Sequence, residues 1–203
     1  MLNKTRRSLK KGWQSAVILL MCSLVLQAAV PAGWIMAGSK PADYESGVDA
    51  QAVYNNHASA YLKSKSPVID GFGTLMQDFS AEKYLGKRVR FSAFVKAEGV
   101  QDWAGLWMRV DKDSTDPVAR TVAFDNMQNR AIKGTSDWQK YEVVLDVPQN
   151  AAGIYFGILL TGTGAVWLNG VKIEVVGPDI PTTGKDLAPK PLPDAPTNLD
   201  FEK

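Results

Sequence analysis

Short runs in which apolar and polar side chains alternate follow one another along most of this chain, and Gly, Pro, Asp and Asn break the runs at regular intervals. In residues 87–96, KRVRFSAFVK, one face holds Val89, Phe91, Ala93 and Val95 and the other Arg88, Arg90, Ser92 and Lys96. A half-buried strand has this period of two, because successive Cβ atoms point to opposite sides of a sheet. Residues 139–147 repeat the pattern with Tyr141, Val143, Leu145 and Val147, and Pro148 ends it. Residues 152–161 are apolar on both faces, as a central strand covered from both sides is. Residues 161–164, TGTG, read as a turn, and residues 165–176 as the last long strand. Its apolar parity changes from Val166 and Leu168 to Val171, Ile173 and Val175, which predicts a β-bulge near Asn169-Gly170.

Weaker strands are expected at residues 33–39, 58–64, 73–80, 103–111 and 118–126, with one helical turn at 80–84. Roughly eight or nine short antiparallel strands separated by turns predict an all-β jelly-roll sandwich, in which two sheets bury each other's apolar faces. At 203 residues the chain suits one such domain with tails.

The two ends depart from the strand pattern. Lys4, Arg6, Arg7, Lys10 and Lys11 precede an uncharged apolar run over residues 16–30, the build of a secretory signal peptide. Small residues around Pro31 place the expected cleavage after Ala32, with Ala29 and Ala37 as alternatives. Residues 1–32 are thus the expected leader, and residues 33–177 the exported sandwich, periplasmic or extracellular. The competing reading carries the apolar run on to Gly38 and keeps it as a membrane anchor. Residues 178–203 hold six of the eleven prolines and predict an extended tail, closed by the less tail-like Asn198–Glu202 segment.

Charge and cysteine usage narrow the function. The formal charge of +2 includes the five leader cations; without them 18 basic residues face 21 acidic ones, a net charge of −3. That balance lacks the basic footprint of a phosphate-binding surface, and no helix-turn-helix pattern occurs, so nucleic acid is not an expected partner. Cys22, the only cysteine, lies in the leader, so the mature domain is expected to hold neither disulfides nor thiolate metal sites.

Residues 134–141, GTSDWQKY, followed by a strand, Val147-Pro148 and residues 162–169, GTGAVWLN, resemble the second half of galactose-binding-like jelly rolls, in particular the CenC-type carbohydrate-binding modules. Residues 86–90, GKRVR, opening a strand that ends Val95-Lys96-Ala97, are similar to the middle of the same group. Trp34, Gly38-Ser39-Lys40-Pro41, Tyr44, residues 107–111 (WMRVD) and residues 124–127 (FDNM) resemble bacterial proteins labelled AraC-type transcriptional regulators. The first resemblance implies a binding fold; the second implies that Trp34 begins the first strand.

Catalytic machinery is sparse. His57 is the only histidine and sits in a polar Asn55-Asn56-His57 turn with no nucleophile motif nearby. Neither a histidine metal site nor a phosphate-cradling glycine loop is present, and no cofactor is expected. Residues 111–116, DKDSTD, lack the glycine of a calcium loop and read as a solvated turn. Aromatic residues are more informative, because flat rings stack on the C–H faces of sugars while neighbouring polar groups read hydroxyls. On residues 103–111, Leu106, Met108 and Val110 share one face and Trp107, Arg109 and Asp111 the other. Trp107, Arg109, Asp125 and Asn126 are therefore the first candidates for a ligand site, with Tyr155 and Trp167 from other strands; Trp138 reads as packing. The expected function is a non-catalytic exported module binding a glycan or cell-envelope ligand. The alternatives are a sandwich that packs on a protein partner and, further off, a glycan-active enzyme using two carboxylates.

Overall fold

The computed structural model describes residues 29–116 and 119–186; residues 1–28 of the expected leader, residues 117 and 118 and the tail from residue 187 lie outside the described residues. Among the described residues ten strands form in order: β1 (Ile35–Gly38), β2 (Tyr44–Tyr54), β3 (His57–Ser64), β4 (Phe72–Ser80), β5 (Arg88–Lys112), β6 (Thr121–Asp125), β7 (Ile132–Asp146), β8 (Ala151–Thr161), β9 (Ala165–Val176) and β10 (Lys185–Asp186). Three single 3-10 turns, Pro41–Asp43, Glu82–Tyr84 and Gln128–Arg130, are the only helical pieces among the described residues. All pairings are antiparallel, and the fold is the jelly-roll sandwich the alternation predicts.

β5 organises both layers. Its first half, Arg88 to Glu98, lies between β7 and β9, and its second half, Trp103 to Lys112, between β8 and β6. One layer therefore runs β7-β5-β9-β3-β2 and the other β1-β4-β8-β5-β6-β10. The sequence reading split β5 at its polar stretch 98–102; instead the strand continues through register shifts against β7 at Val95/Ala97, Ala97/Val100 and Val100/Ala104. Gly99, at φ 59°, sits in that stretch. Bulges of this kind let one strand turn the corner between two sheets without losing its hydrogen bonds.

Alternate β5 residues point inward from both halves. Val89, Phe91, Ala93 and Val95 come from the first half and Ala104, Leu106, Met108 and Val110 from the second, and all are buried. Across the interface Phe91 meets Phe156 of β8 edge to face, with centroids 5.0 Å apart, and Phe156 also touches Trp34 and Phe79. Trp34 thus packs on the core just before β1.

Two differences from the sequence reading matter for the site. β2 was not expected; it pairs with β3 in a hairpin whose tip, Asn55-Asn56, takes positive φ at both residues, as a tight turn matching strand twist requires. The chain beyond Gly177, expected to leave as a tail, stays on the sandwich as far as Asp186. Arg88 donates to the Pro178 and Ile180 carbonyls, Thr183 exchanges hydrogen bonds with Val144, and Lys185 and Asp186 pair with Phe124 and Ala123. The bulge at Asn169-Gly170 forms as expected: the β5–β9 register shifts between Ser92 and Phe94, and Gly170 takes φ 59°.

Candidate functional site

Because residues 104, 106, 108 and 110 of β5 face the core, Trp103, Gly105, Trp107, Arg109 and Asp111 face outward. Their neighbours on β8 are Thr161, Leu159, Gly157, Tyr155 and Gly153 in turn. On β4, beyond β8, the same face carries Phe72, Thr74, Met76, Asp78 and Ser80. Together these rows line two depressions that follow β5 one after the other between Trp103 and Asp111, the two halves of a groove.

One half of the groove is apolar and encloses about 400 Å³. Trp103, Phe72 and Thr161 stand at its end, Trp107, Leu159 and Met76 lie in the middle, and Phe124 and Asn126 form the β6 wall. Trp107 is its floor. Its indole Nε1 donates to Thr74 Oγ1 at 2.7 Å, and Thr74 Oγ1 donates in turn to the Ile158 carbonyl at 2.9 Å. To reach Thr74 the indole must cross β8, and the residue facing it there is Gly157, with no side chain in the way. A Cβ at Gly157 would also collide with the Leu75 carbonyl of β4, so the glycine serves strand approach and ring alike.

The other half is polar and about 370 Å³, with Asp78, Asp111, Asp113, Arg120 and Tyr155 among its lining. The halves meet where the Arg109 guanidinium lies over the Tyr155 ring, 4.6 Å from its centroid. Asp111, 4% exposed, holds Arg109 at 3.0 Å and Arg120 at 3.4 Å, and accepts from Thr121 Oγ1. This one carboxylate therefore faces two cations. Among the described residues no group of three or more His, Cys, Asp and Glu side chains is placed to hold a metal. Arg109 Nε is buried and has no protein hydrogen-bond partner among the described residues.

Of the six residues the sequence singled out, Trp107, Arg109 and Asn126 line the apolar half and Tyr155 lies under Arg109 on the polar side. Asp125 does not join them. It pairs with the inward-facing Met108, so it points away from the groove, where Arg130, Thr183 Oγ1 and the Met127 N–H surround its carboxylate. Burial would raise its pKa, but these hydrogen bonds and the Arg130 charge outweigh it and hold the carboxyl below the ordinary value. Trp167 is on the opposite layer, with its indole Nε1 2.8 Å from Asp49 Oδ2. Trp103, Phe72, Met76 and Phe124 escaped the sequence reading. Trp103 was within its reach, since it shares strand parity with Trp107; Phe124 likewise shares parity with Asn126. His57 opens β3 at the exposed hairpin tip, lines neither half of the groove, and its carbonyl accepts from Asn169.

No family model matches the chain. The chain is 47% identical over 172 residues to a Bacillus subtilis (strain 168) protein named as the uncharacterised HTH-type transcriptional regulator YbfP. The match takes in 84% of this chain and 57% of that protein, so the chain spans less than two-thirds of its relative. Among solved structures, a family 30 carbohydrate-binding module superposes with a TM-score of 0.51 at 16% identity, covering 74% of this chain and 96% of the module. The C-terminal family 22 carbohydrate-binding module of Clostridium thermocellum Xyn10B gives 0.50 at 13% identity, covering 72% of this chain and 87% of that one. The chain shares the fold of these modules.

Proposed function

We propose that this chain is a non-catalytic module, exported behind its leader, that holds a glycan of the cell envelope or its surroundings in the groove along β5. The observation that carries the reading is the groove itself: Trp103, Trp107 and Phe124 on one side of the Arg109–Tyr155 stack, and charged hydroxyl-reading groups on the other. Rings contribute by burying apolar sugar faces, and a guanidinium fixed by Asp111 offers donors whose geometry is set before the ligand arrives. No carboxylate lines the apolar half among the described residues, and Asp111 is committed to two arginines. Both facts keep carboxylates away from a sugar lying over the rings; Asp78 and Asp113 line only the polar half, whereas hydrolysis needs a pair of carboxyl groups flanking the scissile bond. In the family 22 module, conserved residues of the cleft have a role in ligand binding, which supports the same use of this fold.

The test is retention of the purified chain on a panel of insoluble plant, fungal and bacterial envelope polysaccharides, with released reducing sugar measured alongside. Trp103→Ala removes a half-buried groove ring whose loss leaves no core cavity. It is expected to weaken binding at least about tenfold, or roughly 1.4 kcal/mol, while the melting temperature stays put. Failure to be retained on any polymer, or equal retention of the variant, contradicts the site. Steady release of sugar contradicts the non-catalytic reading.

A further inference from the structure

The outer face of the other layer carries a second aromatic feature that the groove does not use. Tyr61 of β3 and Trp167 of β9 are cross-strand partners, and their row continues to Gly47 on one side and Lys96 on the other. Glu45 and Lys63 occupy the row to one side and Asp49 and Ser59 the row to the other. Between them lies a shallow depression of about 340 Å³ lined by Glu45, Asp49, Tyr61, Lys63 and Trp167.

Both rings are half-buried on a solvent-facing sheet surface, where packing alone does not call for them. Trp167 is held in orientation by Asp49, whose Oδ2 accepts the indole N–H while its Oδ1 accepts the Gln51 and Ala52 N–H groups at 2.8 and 3.2 Å. Those same bonds close the bulge where the β2–β3 register shifts between Asp49 and Val53. One carboxylate therefore fixes the edge of the sheet and the pose of the ring. The neighbouring Tyr54, Phe94 and Trp138 differ: Tyr54 stacks on Phe94 at 4.3 Å and leans on Trp138 at 5.3 Å, so their faces are spent on one another.

We propose that Tyr61 and Trp167 form a second saccharide site, separate from the groove, that takes a single neutral pyranose unit of a polysaccharide. Its volume is at the small end of ligand sites, which run from about 300 to 1,000 Å³, and suits one ring rather than a chain. Glu45 and Asp49 in the lining face Lys63 there and Lys96 beside Trp167 on β5, a balance that favours a neutral ligand over an anion or a cation. The site lies on the opposite outer face from the groove, across two sheets packed about 10 Å apart, so one polymer unit cannot fill both. A chain with both sites bridges two polymer strands and gains avidity without any further contact. The inference shares the sugar chemistry of the groove reading but stands on different residues.

Isotope-labelled tryptophan in the purified full chain reports both sites through separate indole N–H signals. Xylohexaose, cellohexaose and chitohexaose are titrated in turn to several times about 1 mM, a weak but measurable dissociation constant. At least one is expected to move the Trp167 signal saturably, and to do so equally in the Trp103→Ala chain. Tyr61→Ala, which keeps the Trp167–Asp49 bond, is expected to weaken the Trp167 response about tenfold and to leave the Trp103 response unchanged. A Trp103 signal that moves while Trp167 stays still with all three sugars overturns the second site alone. Movement of Trp167 with Trp103 silent upholds it and counts against the groove. A Trp167 response that vanishes in Trp103→Ala, or stillness of both signals, overturns it.

Discussion

Among single residues, parity decides what the groove contains. The alternation of β5 was legible in the sequence and correctly put Trp107, Arg109 and Asp111 opposite Leu106, Met108 and Val110. Asp125 and Asn126 both stand among the four first candidates of the sequence, yet neighbours on a strand face opposite sides, and only Asn126 reaches the groove. What Asp125 does is tie the chain beyond β9 to β6 and to the Arg130 turn. Its carboxyl is held below the ordinary value, so its stabilisation is complete above the unfolded value near ~3.9 and is lost as pH falls through the lower native value. Protection of the Thr183 amide, which donates to the Val144 carbonyl at 2.9 Å, is accordingly expected to hold at about pH 4 and to fall progressively as the pH is lowered further. In Asp125→Ala the protection is expected to be weak already at neutral pH, with a stability loss of about 1–3 kcal/mol from donors left unmet. Amide exchange followed across that range checks both, and unchanged protection in the variant contradicts the role.

At the scale of elements, strands with full alternation announced themselves and strands without it did not. β2, YESGVDAQAVY, is an edge strand, and its Gly47, Asp49 and Gln51 are the residues that keep an edge from pairing further and that blur its period. β5 looked like two strands because the corner it turns is polar and holds Gly99, while the pairing partners that keep it continuous, Ser136, Gly134 and Ile132, are remote in sequence. Gly157 shows the same limit. In the sequence it is one small residue in an apolar run; in the sheet it lets β4 approach β8 and lets the Trp107 indole cross to Thr74. Gly157→Ala is therefore expected to cost about 1–3 kcal/mol, the range for forcing extra volume into a packed site, and to shift the Trp107 indole signal. Chemical denaturation measures the first effect; a variant as stable as the parent with an unmoved indole contradicts this account of the floor.

For the whole molecule, the jelly roll has two outer faces, each able to carry a site because the core is finished between them. Tyr44 illustrates how thoroughly: its hydroxyl lies 2.8 Å from the Gly162 carbonyl and 3.1 Å from that of Gly71, and burial, with the Asp43 and Asp102 charges, pushes its pKa up to about 12. The fold was readable from period two and turn residues. The groove was readable only in part, because its walls come from β4, β6 and β8, whose register no local pattern specifies. On the proposed function, sugar rings lie along β5 between Trp103 and the Arg109–Tyr155 stack. Crystals of the chain grown with xylohexaose, cellohexaose or chitohexaose test it most directly: in at least one, density for sugar rings is expected over Trp103 and against Phe124, with hydroxyls within hydrogen-bonding distance of Arg109. A groove empty of sugar in all three contradicts the claim.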